Sequence, residues 1–274
     1  MLDGLQQAVI ESEKNKSKNN KYQFDHLAML FMEDYTVKGI TISQPTIGDM
    51  LRFGEENFYH ALSPFLYNST SIRLPLWEAG IDWCTIKDIE VFSLLNNVNK
   101  NDNDESIQNK EILKTVFKNY DFSRFESYKI RQTPDSEEEL CLYDKETDMI
   151  LYEDDYMEIA EYIREMMNYH PKVEKPKGKT VKKWIIDEDR MNAAMRENKE
   201  RSNLLSLVSA CVNHPGFKYK LQELREVGIY QFMDSVQRLQ IYESSSALLQ
   251  GRYAGFCDLS KVPDDNFNFM REAK

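Results

Sequence analysis

Four carboxylates repeat at helical spacing in one short stretch of the sequence and are the first candidates for chemistry. Asp154, Glu158, Glu161 and Glu165 are separated by four, three and four positions, which places them on one face of an α-helix. Metal-dependent nucleases gather carboxylates in this way, but they also need a pocket and usually a histidine or lysine nearby. The sequence shows neither beside this stripe. A solvated helix face is therefore the simpler interpretation, and a metal-dependent enzyme is the rival hypothesis.

The other residues with catalytic or ligating chemistry are scattered. The four cysteines form no C-x-x-C pair, and a structural zinc site usually has paired ligands at short spacing. We interpret the cysteines as reduced residues in small apolar slots. The glycine motifs of phosphate-binding loops, dinucleotide sites and α/β-hydrolases are also missing. We therefore predict no catalytic residue, no metal site, no cofactor and no enzymatic activity. The scattered residues are Cys84, Cys141, Cys211, Cys257, His26, His60, His170 and His214.

Composition and charge exclude further classes. The 274 residues are 41% hydrophobic, which is enough for a core, and no apolar run approaches the roughly 18 residues of a membrane span. The first residues also lack the pattern of a signal peptide, so we expect a cytoplasmic protein without a membrane partner. The formal charge of −11 disfavours nucleic acid as the main partner, because phosphate contacts need a basic face.

Hydrophobic periodicity predicts a mainly α fold with a small antiparallel β-meander, that is, the α+β class. Residues 35–43 favour a strand or hairpin in which Gly39 allows a turn or a bulge. Thr46 and Asp49 mark a helix start, and one apolar face then runs as a single helix until Pro64 ends or bends it. Residues 125–152 change to a period of two and predict three short strands. A helix follows from Asp154 or Asp155 to about Asn168, with these residues facing inward: Tyr156, Ile159, Ala160, Ile163 and Met167.

Four segments are predicted along the chain. Residues 1–124 form an N-terminal helical region with a short β-hairpin, and 125–170 form the small β-meander plus a helix. Residues 171–183 hold six lysines and two prolines and predict a solvated linker, with a basic strip that contacts an anion as the alternative. Residues 184–274 form a C-terminal helical region. In that region we expect Asp187 to cap one helix and a second helix to begin after Gly228. A polar low-complexity loop is expected at 96–106.

The aromatic content of 12% admits two interpretations. Aromatic and methionine side chains on amphipathic helices usually fill a core, but some can form a groove that holds an apolar segment of another protein. Met191 and Met195 are among the methionines that would suit such an adaptable surface. The residues that we predict to bind a partner are Phe53, Phe58, Tyr59, Trp77, Trp83, Phe232, Met233 and Val236.

Two parts of the chain resemble proteins encoded in the tail-morphogenesis regions of phages and prophages of Gram-positive bacteria. The first contains Gly-Ile-Thr-Ile-Ser-Gln-Pro-Thr-Ile-Gly-Asp at 39–49, Phe-Gly-Glu-Glu-Asn-Phe-Tyr at 53–59 and Gly-Ile-Asp-Trp at 80–83. The second contains Val-Asn-His-Pro-Gly-Phe-Lys-Tyr at 212–219, Ile-Tyr-Gln-Phe-Met-Asp-Ser-Val-Gln-Arg-Leu-Gln at 229–240 and Gly-Arg-Tyr-Ala-Gly at 251–255. These phrases have no catalytic content.

The resemblance implies a tail assembly chaperone of the host cytoplasm that binds the tape-measure protein, the tail tube protein or both. A tape-measure protein is a long apolar helical chain that would aggregate if left bare, so its chaperone needs an acidic body with an apolar groove. Self-association of such a factor is a further expectation. The alternative is a structural virion component of the phage tail or neck.

Overall fold

The computed structural model confirms the α+β class, with mainly helical structure and two small antiparallel sheets. It describes residues 22–96, 104–130, 138–196, 202–255 and 261–271. Most of the predicted loop at 96–106 and Cys257 lie outside the described residues.

The elements follow the chain in a fixed order. The helices are α1 His26–Leu30, α2 Ile47–Phe53, α3 Glu55–Leu66, α4 Arg73–Glu78, α5 Asp88–Asn96, α6 Asp104–Val116, α7 Glu153–Met166, α8 Lys179–Arg196, α9 Asn203–Val212 and α10 Ile229–Ala254. The strands are β1 Tyr35–Val37, β2 Ile40–Ile42, β3 Glu126–Ile130, β4 Glu139–Asp144 and β5 Met149–Leu151. Among the described helices, none combines the length and apolar character that crossing a lipid bilayer requires.

The predicted hairpin is confirmed. Strands β1 and β2 pair antiparallel, with Val37 opposite Ile40. The two turn residues, Lys38 and Gly39, have φ angles of 48° and 84°. Left-handed backbone at both central positions is the geometry of a two-residue hairpin turn, and glycine adopts it without steric cost.

The predicted helix start at Thr46 is also confirmed, but the single long helix is wrong. Thr46 and Asp49 form a reciprocal capping box at the start of α2. The chain then breaks at Gly54, whose φ of 88° and ψ of 138° are not helical, before α3 begins. Pro64 does not end α3, which continues to Leu66. The backbone carbonyl oxygens at the end of α3 accept hydrogen bonds from side chains of α7. These carbonyls therefore have donors inside the protein, although no further helical turn follows.

The main core surrounds α3, which contacts α2, α5, α6 and α7. At its centre Phe65 lies within 6.5 Å, centroid to centroid, of the rings of Phe92, Phe117, Phe122 and Tyr156. Edge-to-face and tilted aromatic pairs of this kind contribute beyond their buried area. All five residues predicted to face inward on the helix that became α7 are buried.

The three-stranded meander is confirmed, with strand order β3–β4–β5 and antiparallel pairing throughout. At the end of β4 the buried carboxylate of Asp144 accepts hydrogen bonds from the hydroxyls of Tyr120 and Thr147 at 2.5 and 2.8 Å. Arg124 lies 3.0 Å away as its ion-pair partner. This network joins the meander to the segment after α6.

The Asp144 network is expected to make stability depend on acidity. Burial alone would raise the pKa of Asp144, but the hydrogen bonds from Tyr120, Thr147 and the Glu146 N–H, with the charge of Arg124, lower it below its usual value. A carboxyl whose pKa is lower in the folded state stabilises the fold above its unfolded pKa of about 3.9. That stabilisation is lost as the pH falls through the folded pKa. In urea titrations, the Asp144→Asn variant should have a lower free energy of unfolding than the wild type at pH 7, and this difference should be smaller at pH 3. The same difference at both pH values would contradict this account.

The predicted linker is shorter and less free than the sequence indicates. Helix α8 begins at Lys179, so the last five residues of 171–183 are helical and Asp187 lies in mid-helix rather than at a cap. Residues 171–178 are irregular but attached. The indole of Trp83 donates to the Glu174 carbonyl at 3.0 Å, and the Glu174 N–H donates to Thr70 at 3.1 Å. The division of the chain into four segments stays a prediction.

The C-terminal helices join the N-terminal part through backbone pairing. The N–H of Ile47 donates to Val227 and that of Ile229 donates to Pro45, both at 3.0 Å. Ile229 and Phe232, at the start of α10, are buried in the main core. Elements on both sides of residues 171–183 therefore share one core.

Gly48 is a close-approach position at this junction. A Cβ atom there would lie 2.6 Å from the carbonyl oxygen of Arg225, a backbone atom that cannot rotate away. We expect Gly48→Ala to lower the free energy of unfolding by about 1–3 kcal/mol, as other overpacked sites do. Gly178→Ala is the matched control, because its Cβ would meet only the Val181 side chain at an ordinary 3.7 Å. Urea denaturation of both variants measures the difference; equal stabilities would exclude the close approach.

Candidate partner-binding surface

An exposed apolar stripe runs along α8. Its members Val181, Trp184, Met191 and Met195, with Glu188 in the middle, follow each other at steps of three and four residues. At about 100° per residue they fall within an arc of about 80°. The exposed fractions are 48% for Val181, 79% for Trp184, 58% for Met191 and 81% for Met195. We call these five positions the α8 stripe.

The opposite face fixes α8 to the protein. Ile186 is fully buried in a second, smaller core with Leu76 and Trp83. The Lys182 ammonium lies 2.6 Å from the Asp82 carboxylate, and the Arg73 guanidinium donates to Asp189 at 2.7 Å. Since this inner face carries the contacts, the four apolar members of the α8 stripe point away from the body, whereas Glu188 borders a cleft that Lys172 and Lys175 also line.

Electrostatics reinforce this attachment. The hydrogen bond between Lys182 and Asp82 raises the pKa of the lysine and lowers that of the carboxyl, so both stay charged near neutral pH. The Lys182 ammonium also lies 5.8 Å from the centre of the Trp83 ring, within cation–π range. Arg73 additionally contacts Glu174 in the segment before α8. The helix is therefore held at several points along its inner face.

The residue types of the α8 stripe suit the packing of another helix. The steps of three and four residues match the two apolar positions of a heptad repeat, which is the pattern of a seam between two helices. Val181, Glu188 and Met195 occupy the first of these positions. Trp184 and Met191 occupy the second. Tryptophan is the residue type most enriched at binding hot spots, and methionine adapts to varied partners. With 18 residues, α8 offers an edge about 27 Å long.

The structure places most of the sequence-predicted binding residues elsewhere. Phe58, Trp83 and Phe232 are fully buried, and Phe53 and Val236 are 8% exposed. These five pack the protein's own cores and cannot touch a partner in this conformation, which corrects their assignment to a binding surface. The remaining three, Tyr59, Trp77 and Met233, are half-buried at the margins of those cores.

Trp184 and Val181 were missed by the sequence-based selection. The residues predicted to bind a partner are mostly aromatic side chains in apolar segments, and such side chains usually fill a core. Met191 and Met195 were recognised as adaptable but not as parts of one stripe. The signal that could have found them is the spacing of three and four residues that links Val181 to Met195 within an otherwise polar segment.

Three of the four carboxylates on this face of α7 make separate contacts. Glu158 accepts a hydrogen bond from the Tyr35 hydroxyl at 2.6 Å, and Glu161 pairs with Arg164 at 2.7 Å. Glu165 lies 3.8 Å from the His26 ring. Within the described ranges, no group of three or more histidine, cysteine, aspartate or glutamate side chains could hold a metal ion.

The described cysteines carry free thiols. Cys141 and Cys211 are buried and Cys84 is half-buried. Burial raises the pKa of all three thiols, which lowers their reactivity as nucleophiles near neutral pH.

Comparison with known proteins adds information about the C-terminal part. Residues 196–271 match the family model of the YomV second domain. The YomV second domain is a phage-associated family of the Bacillus prophage type. The matched region contains α9 and α10 and begins at the last residue of α8, so the α8 stripe lies directly before it. No curated protein and no solved structure matches the chain.

Proposed function

We propose that this protein is a non-enzymatic phage tail assembly factor whose α8 stripe binds a helical segment of a tail protein. The tape-measure protein is the first candidate partner and the tail tube protein the second. The observation that carries the proposal is the stripe itself, a tryptophan, two methionines and a valine exposed on a helix that is fixed by its other face. The phage-associated C-terminal region and the resemblance to tail-morphogenesis proteins support the phage context.

The size of the stripe suits a partner that must later be released. Fully burying a side chain such as valine or methionine contributes about 1.5–3 kcal/mol, and association entropy offsets much of the sum. A single seam between two helices therefore supports binding of about micromolar strength. An assembly factor has to hand its client to the growing tail, for which a reversible contact is appropriate.

The net charge fits the same role. At −11, the net charge keeps a complex with an apolar client dispersed.

Co-expression with the tape-measure protein of the same phage tests the proposal. We expect the tape-measure protein to become soluble and to co-purify with this chain. An insoluble client that does not co-purify would refute the function. Mass spectrometry of purified particles separates the alternative: an assembly factor is absent from the virion, whereas a tail or neck component is present in many copies.

A further inference from the structure

Glu188 interrupts the α8 stripe with a charge. It lies one turn from Trp184 on one side and from Met191 on the other, and its side chain is exposed. Within the part of the chain that the structure describes, Glu188 has no hydrogen-bond or ion-pair partner. Its neighbour Asp187, in contrast, pairs with Arg190 at 3.2 Å. The stripe thus contains at its centre one hydrated carboxylate without an ion pair, next to the cleft that Lys172 and Lys175 line.

Any helix that covers the stripe must also cover Glu188, because apolar contacts lie on both sides of it. Removing an ionised carboxylate from water is costly unless a cation and hydrogen-bond donors replace the water. A lysine or arginine on the partner, facing Glu188, supplies both. An apolar or acidic side chain at that position supplies neither and raises the free energy of the complex.

A second copy of this chain is a poor occupant for the same reason. In-register pairing of two α8 stripes, parallel or antiparallel about the centre, brings the two Glu188 carboxylates together. The net charge of −11 on each chain adds to that repulsion. A polar residue at a single core position is a known means of selecting partner and register in helix pairs.

We propose, on the basis of the proposed function, that Glu188 selects the partner. The α8 stripe takes an amphipathic helix with apolar residues at heptad spacing and a lysine or arginine opposite Glu188. Glu188 is then a specificity-determining residue, and the apolar members of the stripe supply the general affinity.

Two synthetic helical peptides of about three heptads serve as probes, with leucine at the seam positions and either lysine or glutamate at the central one. Trp184 reports binding, because it is 79% exposed whereas Trp83 is fully buried and Trp77 is half-buried against the second core, so docking on the stripe shifts the Trp184 emission to shorter wavelength. We expect the full chain to bind the lysine peptide about fivefold more tightly than the glutamate peptide. Glu188→Lys should invert this preference and Glu188→Gln should remove it.

The outcomes separate the two proposals. Equal affinity of the wild-type chain for both peptides overturns the role of Glu188 but leaves the binding function standing. Binding of neither peptide overturns both. Calorimetry on the unmodified chain is the control for the signal, since it should give the same preference for the lysine peptide without depending on the Trp184 emission. The preference for lysine should also weaken as salt is added, because it depends on opposite charges.

Discussion

Arg164→Leu is expected to lower the free energy of unfolding by about 3–5 kcal/mol, the usual cost of removing one partner from a buried ion pair. The Arg164 side chain is only 4% exposed and pairs with Asp88 at 3.0 Å and with Glu161 at 2.7 Å. Its guanidinium also donates to the carbonyl oxygens of Phe65, at 3.1 Å, and Leu66, at 3.3 Å. Leucine leaves these acceptors at the end of α3 without donors, and buried acceptors without donors are costly.

Arg190→Leu is the matched control for this prediction. Arg190 also bridges two carboxylates, Glu78 and Asp187, but its side chain is 47% exposed. Exposed ion pairs contribute about 0–1 kcal/mol, so the control should lose at most that amount. Urea denaturation of both variants measures the difference. Similar losses for the two arginines would show that the contacts of Arg164 are no more important than surface pairs.

Trp184→Glu is expected to weaken binding of the tail-protein client by at least about 30-fold, which corresponds to the 2 kcal/mol that defines a hot spot. The substitution replaces the largest apolar member of the α8 stripe with a charge that the client would have to desolvate. Stability should change by no more than about 0.5 kcal/mol, because the side chain is 79% exposed and touches little of the protein. Calorimetric titration of the purified client fragment into each variant measures the affinity.

Tyr253→Glu provides the control for Trp184. Tyr253 is an aromatic residue near the end of α10 and is 86% exposed. Its replacement introduces the same charge on a different surface, so client affinity should be unchanged. An equal loss in both variants would show that added charge, rather than the α8 stripe, determines binding.

Local signals in the sequence predicted much of the fold. The capping pair Thr46 and Asp49, the Lys38–Gly39 turn and the alternating strands of the meander depend on neighbouring residues alone. The inner face of α7 was read correctly because a period of 3.6 residues identifies one side of a helix whatever covers it.

The sequence-based predictions differ from the structure where contacts between distant parts of the chain determine the conformation. Gly54 is compatible both with a continuous helix and with a break, and in the structure its φ of 88° and ψ of 138° interrupt the helix. Pro176 and Gly178 indicate a linker, yet α8 starts directly after them because Lys182 and Ile186 find partners around Trp83. Those partners lie about a hundred positions earlier in the chain, so no local pattern reveals them.

The binding surface was the least predictable feature. An apolar stripe has the same sequence signature whether another element covers it or not. The helix containing Phe58 is covered by α5, α6 and α7, whereas the outer face of α8 meets no element in the described part of the chain. The difference between core and surface is therefore a property of the assembled fold.

Site-specific photo-cross-linking at position 184 in phage-producing cells tests the central claim most directly. A photoreactive phenylalanine analogue replaces Trp184 in one variant and Tyr253 in the other. The account predicts that position 184 forms a covalent adduct with a tail protein and that position 253 does not. Absence of a tail-protein adduct at 184, or equal adducts at both positions, would contradict the assignment of the α8 stripe as the partner-binding surface.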